Sequence, residues 1–245
     1  MSHVEDVDTI IISSIHFDKD KDEKEKIYLN DNLPSDIKFD TMWMETKKMS
    51  DQGTLILMMV GGAGGAYQSL FNEFEIYYPL LRDLLQEKTY IGGIDLDIEE
   101  PVSIENVKML IKRLKNDFGK DFLITMAPIA PSMITDNSGM GGFSYKELVS
   151  SEEGKLVDRF HVQCYESFSF ETYENIIKNG WNPEQIVMGM MSGQFTKDTF
   201  KNALQEVESC LKRYPEMAGV FVWEYIDSPP DEKDPSQWSY QMKHL

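Results

Sequence analysis

The sequence predicts an α/β fold, a single (β/α)8 (TIM) barrel without a large insertion domain that spans residues 1–245. Three observations predict it. Seven or eight short apolar segments alternate with segments of helical periodicity, and crossovers of that length join parallel strands. A length of 245 residues and a mass of 28.3 kDa suit one such domain. Glycines and polar residues cluster where the apolar segments end, and in a barrel those strand ends converge on one face.

Charge and cysteine content exclude several classes of protein. The formal net charge is -18, and an acidic surface of that size repels phosphate backbones, so we expect no nucleic-acid partner. Cys164 and Cys210 are too few for a disulfide framework, and both are expected to be reduced and packed. The sequence begins with acidic and polar residues and contains no membrane-spanning composition. We therefore expect a cytoplasmic monomer without membrane contact, secreted only if the sequence has been trimmed.

The individual elements follow from periodicity in chain order. Apolar runs rich in β-branched residues predict strands, apolar residues at helical spacing predict helices, and Gly, Pro, Ser and Asn clusters predict loops. The N-terminal half is predicted as strands at 8–17 and 27–29, a helix at 41–51, a strand at 54–60 and a helix at about 68–87. The remainder after the acidic stretch is predicted as a helix at 103–118, strands at 122–126, 156–165, 185–191 and 219–223, a loop at 131–142, helices at 170–179 and 197–213, and a short terminal segment at 237–244.

Four glycines and two alanines, residues 61–66, follow the strand at 54–60 and are open to more than one interpretation. A loop that cradles phosphates would need Gly-x-Gly-x-x-Gly or a terminal Gly-Lys-Ser, and residues 61–66 contain neither lysine nor serine. The better interpretation is a loop in which the backbone passes close to a ligand or to another strand.

An acidic stretch at 94–99 alternates aliphatic residues with Asp95, Asp97 and Glu99, which is the period of a β-strand. Three carboxyl groups should therefore line one face and three aliphatic side chains the other. Like charges this close cannot all ionise freely, so a metal, hydrogen bonds or a shared proton must compensate unless the face is open to water. An exposed strand face is the plainer alternative. A Mg²⁺ site built from these carboxylates is another, because hard cations favour carboxylate oxygens.

The acidic stretch also carries a family resemblance. Residues 92–99, Gly-Gly-Ile-Asp-Leu-Asp-Ile-Glu, resemble the Asp-Gly-aliphatic-Asp-aliphatic-Asp-x-Glu signature of family 18 glycoside hydrolases, the chitinases and endo-β-N-acetylglucosaminidases. Residues 57–62 resemble the family's Ser-x-Gly-Gly strand, residues 162–165 its Gln-x-Tyr strand, and residues 219–223 its last barrel strand with a tryptophan. The resemblance covers nearly the whole chain and is closest to the short hevamine-like branch.

The resemblance implies a retaining, substrate-assisted hydrolysis of β-1,4-linked N-acetylglucosamine in chitin oligosaccharides or related glycans, with no metal and no cofactor. It implies Glu99 as general acid, Asp97 as the group that orients the substrate acetamide, and Asp95 as the support of Asp97. Tyr165 would donate its hydroxyl to the acetamide oxygen, and Trp223 would lie under the sugar ring. The other candidate substrate contacts are Gln163, Gly62, Ala63 and Met126.

Two positions depart from the family pattern, and they motivate a second function class. Gly92 stands where the signature has its first Asp, and Met59 stands where the Ser-x-Gly-Gly strand has its serine. The first Asp belongs to a hydrogen-bond network that supports the middle ones, so its loss removes one charge and changes the sharing of protons between Asp95 and Asp97. A chitinase-like carbohydrate-binding protein that has lost turnover is therefore the alternative to an active glycosidase.

Overall fold

The computed structural model describes residues 6–245, which form eight strands and nine α-helices. In chain order the strands are β1 (Thr9–Lys19), β2 (Glu25–Leu29), β3 (Leu55–Gly61), β4 (Gly93–Asp97), β5 (Leu123–Met126), β6 (Arg159–Gln163), β7 (Ile186–Met191) and β8 (Gly219–Trp223). The helices are α1 (Asp40–Asp51), α2 (Tyr67–Asn72), α3 (Phe74–Glu87), α4 (Ile104–Phe118), α5 (Ala130–Ile134), α6 (Tyr145–Ser150), α7 (Phe170–Lys178), α8 (Phe200–Arg213) and α9 (Ser236–Lys243).

The chain divides into two compact units. The acidic-strand unit consists of Asp8–Met126 and Met140–Asp158, and the carboxyl-terminal unit consists of residues 6–7, Ala127–Gly139 and Arg159–Leu245. The expectation of one domain over residues 1–245 stays a prediction.

A sheet in the order β2-β1-β3-β4-β5 forms the centre of the acidic-strand unit. The pairs β1–β3, β3–β4 and β4–β5 are parallel, as the alternation of strands and helices predicts. By contrast, β2 pairs antiparallel to β1 and follows it after a short turn. The Asp20 side chain closes that turn by accepting the N–H groups of Asp22 and Lys24 at 2.8 and 3.1 Å. The polar run between these two strands is therefore a hairpin turn, and no helix separates them.

Helix α4 follows the acidic strand and shows most directly how the sequence sets the local structure. The Ser103 side chain accepts the Glu105 N–H at the start, and Gly119 ends the helix with φ 86°, so both predicted boundaries are confirmed. Four of its apolar residues recur at helical spacing and are completely buried, which defines the face that is turned towards the core. Those residues are Val107, Leu110, Ile111 and Leu114.

The helix predicted at about 68–87 is wrong as a single element, because the structure has two helices there. Glu73, between α2 and α3, has φ -130° and ψ 50°, outside the helical region, so the hydrogen-bond ladder is interrupted. Aromatic rings then continue across the break: Phe71 stacks on Phe74, and Phe74 stacks on Tyr78 with ring centroids 5.0 Å apart. Apolar residues recur at helical spacing through both helices, so the sequence pattern does not indicate the break at Glu73.

Parallel strands β6, β7 and β8 form the sheet of the carboxyl-terminal unit. Gly189 lies between its neighbours where a Cβ would come within 2.1 Å of the Phe221 ring, so only glycine lets these strands approach. Helix α5 begins at Ala130 and runs into the segment predicted as a loop at 131–142, so the first part of that loop prediction is wrong. Pro131, in its first turn, suits a helix start because that N–H would have no partner within the helix.

Both cysteines are buried free thiols, as predicted. Burial raises the pKa of Cys164 and of Cys210 to about 12, so neither is a reactive thiolate near neutral pH. Within residues 6–245, no helix combines the length and the apolar character needed to cross a bilayer.

Candidate active site

The acidic strand β4 buries its first two carboxyl groups. Asp95 and Asp97 are only 3% and 6% exposed, although alternation alone would also allow an open strand face. The strand ends at Asp97, and Glu99 lies two residues beyond it, half-buried. The expectation that Asp97 and Glu99 share one strand is therefore corrected: the third acid stands on the segment that leaves the strand. Two carboxyl groups are withdrawn from water, and one stays accessible at the end of the row.

Asp95 lies between residues of two neighbouring strands. Its register partners are Met59 on β3 and Thr125 on β5. The Thr125 hydroxyl donates a hydrogen bond to Asp95 Oδ1. A buried carboxyl group requires such a donor, because burial without one costs several kcal/mol, on the order of 2–7 for a polar group.

The glycine loop after β3 presses against the end of the acidic strand. Gly61 is the register partner of Asp97, and the Gly62 N–H donates to the Asp97 carbonyl oxygen at 2.9 Å. A Cβ on Gly61 would lie 2.2 Å from that oxygen, and a Cβ on Gly62 would lie 3.2 Å from Asp97 Oδ2. Both glycines also have positive φ, at 95° and 79°. The interpretation that this loop passes close to another strand is thus confirmed.

Two side chains hold the far end of the same loop. Glu100 Oε1 accepts the N–H groups of Ala66 and Tyr67, each at 2.5 Å. His16 Nδ1 lies 3.0 Å from the Gly65 carbonyl oxygen, to which it donates. Glu100 lies beyond the end of β4, and its half-buried carboxylate joins the acidic segment to the glycine loop.

Two buried tyrosines that the sequence interpretation missed lie within the electrostatic reach of the acids. Burial, followed by the carboxylates of Asp97 and Asp95, raises the pKa of Tyr67 well above its ordinary value. The same causes, with Glu99 added, raise the pKa of Tyr145. Both hydroxyl groups therefore keep their protons and remain donors, and that of Tyr67 donates to the Val60 carbonyl oxygen at 2.7 Å.

Tyr145 could have been found from a local signal. Ser144 and Glu147 have the spacing of a capping box, and the Ser144 side chain accepts the Glu147 N–H at the start of α6. The capping box predicts where the helix that carries Tyr145 begins, although the preceding strand, β5, ends 19 residues earlier at Met126. The sequence indication for Tyr67 is weaker, because it consists only of the position directly after the glycine loop.

Three predicted site residues lie in the carboxyl-terminal unit, each at or just beyond the end of a strand. Gln163 ends β6 and donates from Nε2 to the Ala127 carbonyl oxygen at 3.0 Å. Tyr165 is half-buried in the turn that follows, two residues past the strand that was predicted to reach it. Trp223 ends β8 and is 39% exposed, which leaves part of its ring open to a ligand.

The remaining predicted contacts differ in accessibility. Ala63 is exposed on the glycine loop. Met126 is completely buried at the end of β5, opposite Leu96, so a sugar would reach it only if its covering neighbours moved. Among residues 6–245, no group of three or more His, Cys, Asp or Glu side chains is arranged to hold a metal ion, so the Mg²⁺ interpretation has no geometric support.

A parallel α/β sheet with a buried Asp-x-Asp pair and a half-buried Glu beyond the strand end is consistent with the class of glycoside hydrolases built on an α/β barrel, which use paired carboxyl groups at strand ends. The sequence model described as Glycosyl hydrolases family 18 matches residues 2–243. The chain therefore belongs to glycosyl hydrolase family 18, and the resemblance predicted from the acidic signature is confirmed.

Known relatives support the same assignment. A fungal endo-beta-N-acetylglucosaminidase from glycosyl hydrolase family 18 aligns with a TM-score of 0.85 and 32% identity, covering 96% of this chain and 86% of its own. Chitinase ChiC from Aspergillus fumigatus aligns with a TM-score of 0.80 and 29% identity, covering 96% and 87%. Chitinase 2 of Rhizopus oligosporus is 27% identical over 210 residues, which are 74% of this chain but 35% of that protein.

The predicted fold class follows from these similarities. Solved family 18 barrels match almost the whole chain, so the α/β barrel without a large insertion is confirmed. The chain spans about a third of the length of Chitinase 2.

Proposed function

We propose that the protein hydrolyses β-1,4-linked N-acetylglucosamine in chitin oligosaccharides or related glycans, with retention and with the substrate's own acetamide as nucleophile. The family consists of glycosidases that act on chitin and related N-acetylglucosamine glycans. One observation carries the finer proposal: Asp95 and Asp97 are buried in a row, whereas Glu99 stands accessible beyond the end of their strand.

The spacing of the acids supports the substrate-assisted route. Asp97 ends β4 and Glu99 lies two residues beyond it, within roughly 7 Å at the backbone, so we expect both carboxyl groups to approach the substrate from the same side. An enzyme with its own carboxylate nucleophile needs its two carboxyl groups on opposite sides of the bond that breaks. Acids that approach from one side suit different roles: Glu99 as the proton donor and Asp97 as the partner of the acetamide.

The proposed reaction proceeds in two balanced steps. Glu99 donates its proton to the glycosidic oxygen while the acetamide carbonyl oxygen attacks the anomeric carbon, which releases the leaving sugar and forms an oxazolinium ion. The Asp97 carboxylate accepts the acetamide N–H and stabilises the positive charge, Asp95 supports Asp97, and Tyr165 donates to the acetamide. Water then attacks the same carbon while the bond from that carbon to the acetamide oxygen breaks, which restores the acetamide, and Glu99 takes up the proton that this water loses.

The substrate contacts are proposed on the same basis. The partly exposed ring of Trp223 offers an apolar surface for the sugar, and Gln163, Gly62 and Ala63 provide polar and backbone contacts. A crystal soaked with an N-acetylglucosamine thiazoline, which mimics the cyclised intermediate, tests the roles of Asp97 and Tyr165. Each of these side chains is expected within hydrogen-bond distance of the bicyclic group.

Release of 4-nitrophenol from chitobiose and chitotriose glycosides tests the activity. Glu99→Gln keeps the size of the side chain but removes its proton, so kcat is expected to fall at least about 100-fold. Glu105→Gln is the matched control, because Glu105 is an exposed acid in the first turn of α4, and its activity should equal that of the wild type. Absence of release by the wild type, or equal release by Glu99→Gln, would contradict the proposal.

A carbohydrate-binding protein without turnover is the second candidate. Gly92 lacks the acid of the family signature, and a Cβ at this position would lie 2.7 Å from Leu55 Cδ1, so the space is already occupied. Met59, the neighbour of Asp95, supplies no hydroxyl. Calorimetry distinguishes the candidates: tight oligosaccharide binding with no hydrolysis over days favours the second.

A further inference from the structure

We propose that Thr125 is a positioning residue for the acidic row, whose hydroxyl fixes Asp95 from β5. The inference rests on the proposed function for its catalytic consequence. The orientation of Asp95 by Thr125 is independent of that function and is supported by the hydrogen bond between the two side chains.

Thr125 is placed and oriented by its strand. It is the parallel register partner of Asp95, and the two residues are 1% and 3% exposed. Threonine is β-branched, so its χ1 angle has few accessible values within a packed strand. The hydroxyl has one proton to donate. Asp95 Oδ1 is its nearer acceptor, and the alternative, the Ile94 carbonyl oxygen, lies 3.4 Å away. The hydrogen bond to Asp95 is thus directed by both packing and distance.

The two register partners of Asp95 differ in what they can offer its carboxyl group. On β3 the partner is Met59, which is 6% exposed and carries a thioether that cannot donate a hydrogen bond. Of the two register partners, Thr125 is therefore the one whose side chain can donate to the buried carboxyl group.

The hydrogen bond between Thr125 and Asp95 affects the reacting groups through Asp97. Asp95 and Asp97 lie on the same face of β4, two residues apart, so the orientation of one buried carboxyl group constrains the other. A hydrogen bond that fixes Asp95 Oδ1 leaves its second oxygen in a defined place relative to Asp97. Thr125 touches no substrate in this scheme and acts only through Asp95.

Kinetics of three variants test the catalytic role. Thr125→Val is nearly isosteric and removes the hydroxyl, so kcat on the chitotriose glycoside is expected to fall about 10- to 100-fold, the size of one hydrogen bond to a charged group. KM should change by less than about twofold, since binding in the ground state is unaffected. Thr125→Ser retains the hydroxyl and should recover most of kcat. The control is Thr46→Val, which removes a buried hydroxyl that donates to the Met42 carbonyl oxygen at 2.8 Å and should keep wild-type kcat.

A double-mutant cycle shows whether Thr125 acts through Asp95. In an Asp95→Asn background, Thr125→Val should lower kcat by less than about twofold further, because its partner has already been changed. Full additivity of the two substitutions would overturn the inference, as would wild-type kcat in Thr125→Val.

A spectroscopic measurement separates this inference from the proposed function. The carboxyl ¹³C signal of Asp95, assigned by its loss in Asp95→Asn, is expected to move in Thr125→Val and to stay unchanged in Thr46→Val. A moved signal in a protein without hydrolytic activity would support the contact and contradict the proposed reaction. An unmoved signal would overturn the role of Thr125 whether or not the protein is active.

Discussion

Gly61 is the position where a single methyl group should disturb the acidic strand most directly. In Gly61→Ala the new Cβ would lie 2.2 Å from the Asp97 carbonyl oxygen, against about 3.4 Å for an ordinary contact. Either the end of β3 or the end of β4 must therefore move by on the order of 1 Å. The substituted residue would also have to keep a φ of 95°, which disfavours side chains.

The expected loss has two parts that a matched variant separates. The positive φ costs about 1–2 kcal/mol, and the close contact adds about 1–3 kcal/mol of overpacking. Gly53→Ala has a similar φ of 101° but no atom within 4 Å of its Cβ, so it reports the φ cost alone. Urea unfolding should therefore give a free energy of unfolding lower for Gly61→Ala than for Gly53→Ala by about 1–3 kcal/mol.

Hydrolytic activity should also differ between Gly61→Ala and Gly53→Ala. A displacement near 1 Å at Asp97 is expected to lower kcat about 100-fold, whereas Gly53→Ala should keep wild-type kcat. If both alanine variants unfold at the same urea concentration with the same slope, the close approach of the glycine loop to Asp97 is refuted as an energetic constraint.

Two further predictions concern the surroundings of the acids. Glu100→Ala removes the acceptor of two N–H groups and should lower the free energy of unfolding in urea by about 2–3 kcal/mol. Glu152→Ala, at an exposed ion pair with Lys155, should change it by less than about 0.5 kcal/mol, and equal losses would rule out the Glu100 contact as a clamp. Burial and the nearby acids raise the pKa of Tyr145 in the folded state, so its contribution is full below about pH 10 and is lost as pH rises further. Tyr145→Phe should therefore reduce the alkaline fall in stability by about 1.4 kcal/mol per pH unit between about pH 10 and 11.5, and an unchanged slope would contradict this.

Local patterns predicted the elements whose signals do not depend on distant contacts. The alternation at 94–99 located the acidic strand, and Ser103 and Gly119 located both ends of α4. By comparison, the end of β4 at Asp97 depends on pairing with β3, whose last residue is Gly61. Alternation continues beyond that point, so the sequence alone could not show that Glu99 had left the strand.

The residues that were missed belong to contacts between segments far apart in sequence. The contacts of Glu100 could not be predicted from its neighbours in sequence, because its partners, Ala66 and Tyr67, lie more than 30 residues earlier. Thr125 looked like an ordinary β-branched strand residue until the register placed it beside Asp95. Periodicity assigns a side chain to a face of a strand, but only the pairing of strands identifies its neighbour.

The contact between Gly61 and Asp97 changes how relatives of this protein should be interpreted. The backbone itself forbids a side chain at this position, whatever chemistry takes place above it. A descendant that had stopped cleaving sugars would still need glycine there in order to fold. A glycine at this position is thus explained by folding alone, and its presence in a relative says nothing about whether that relative cleaves sugars.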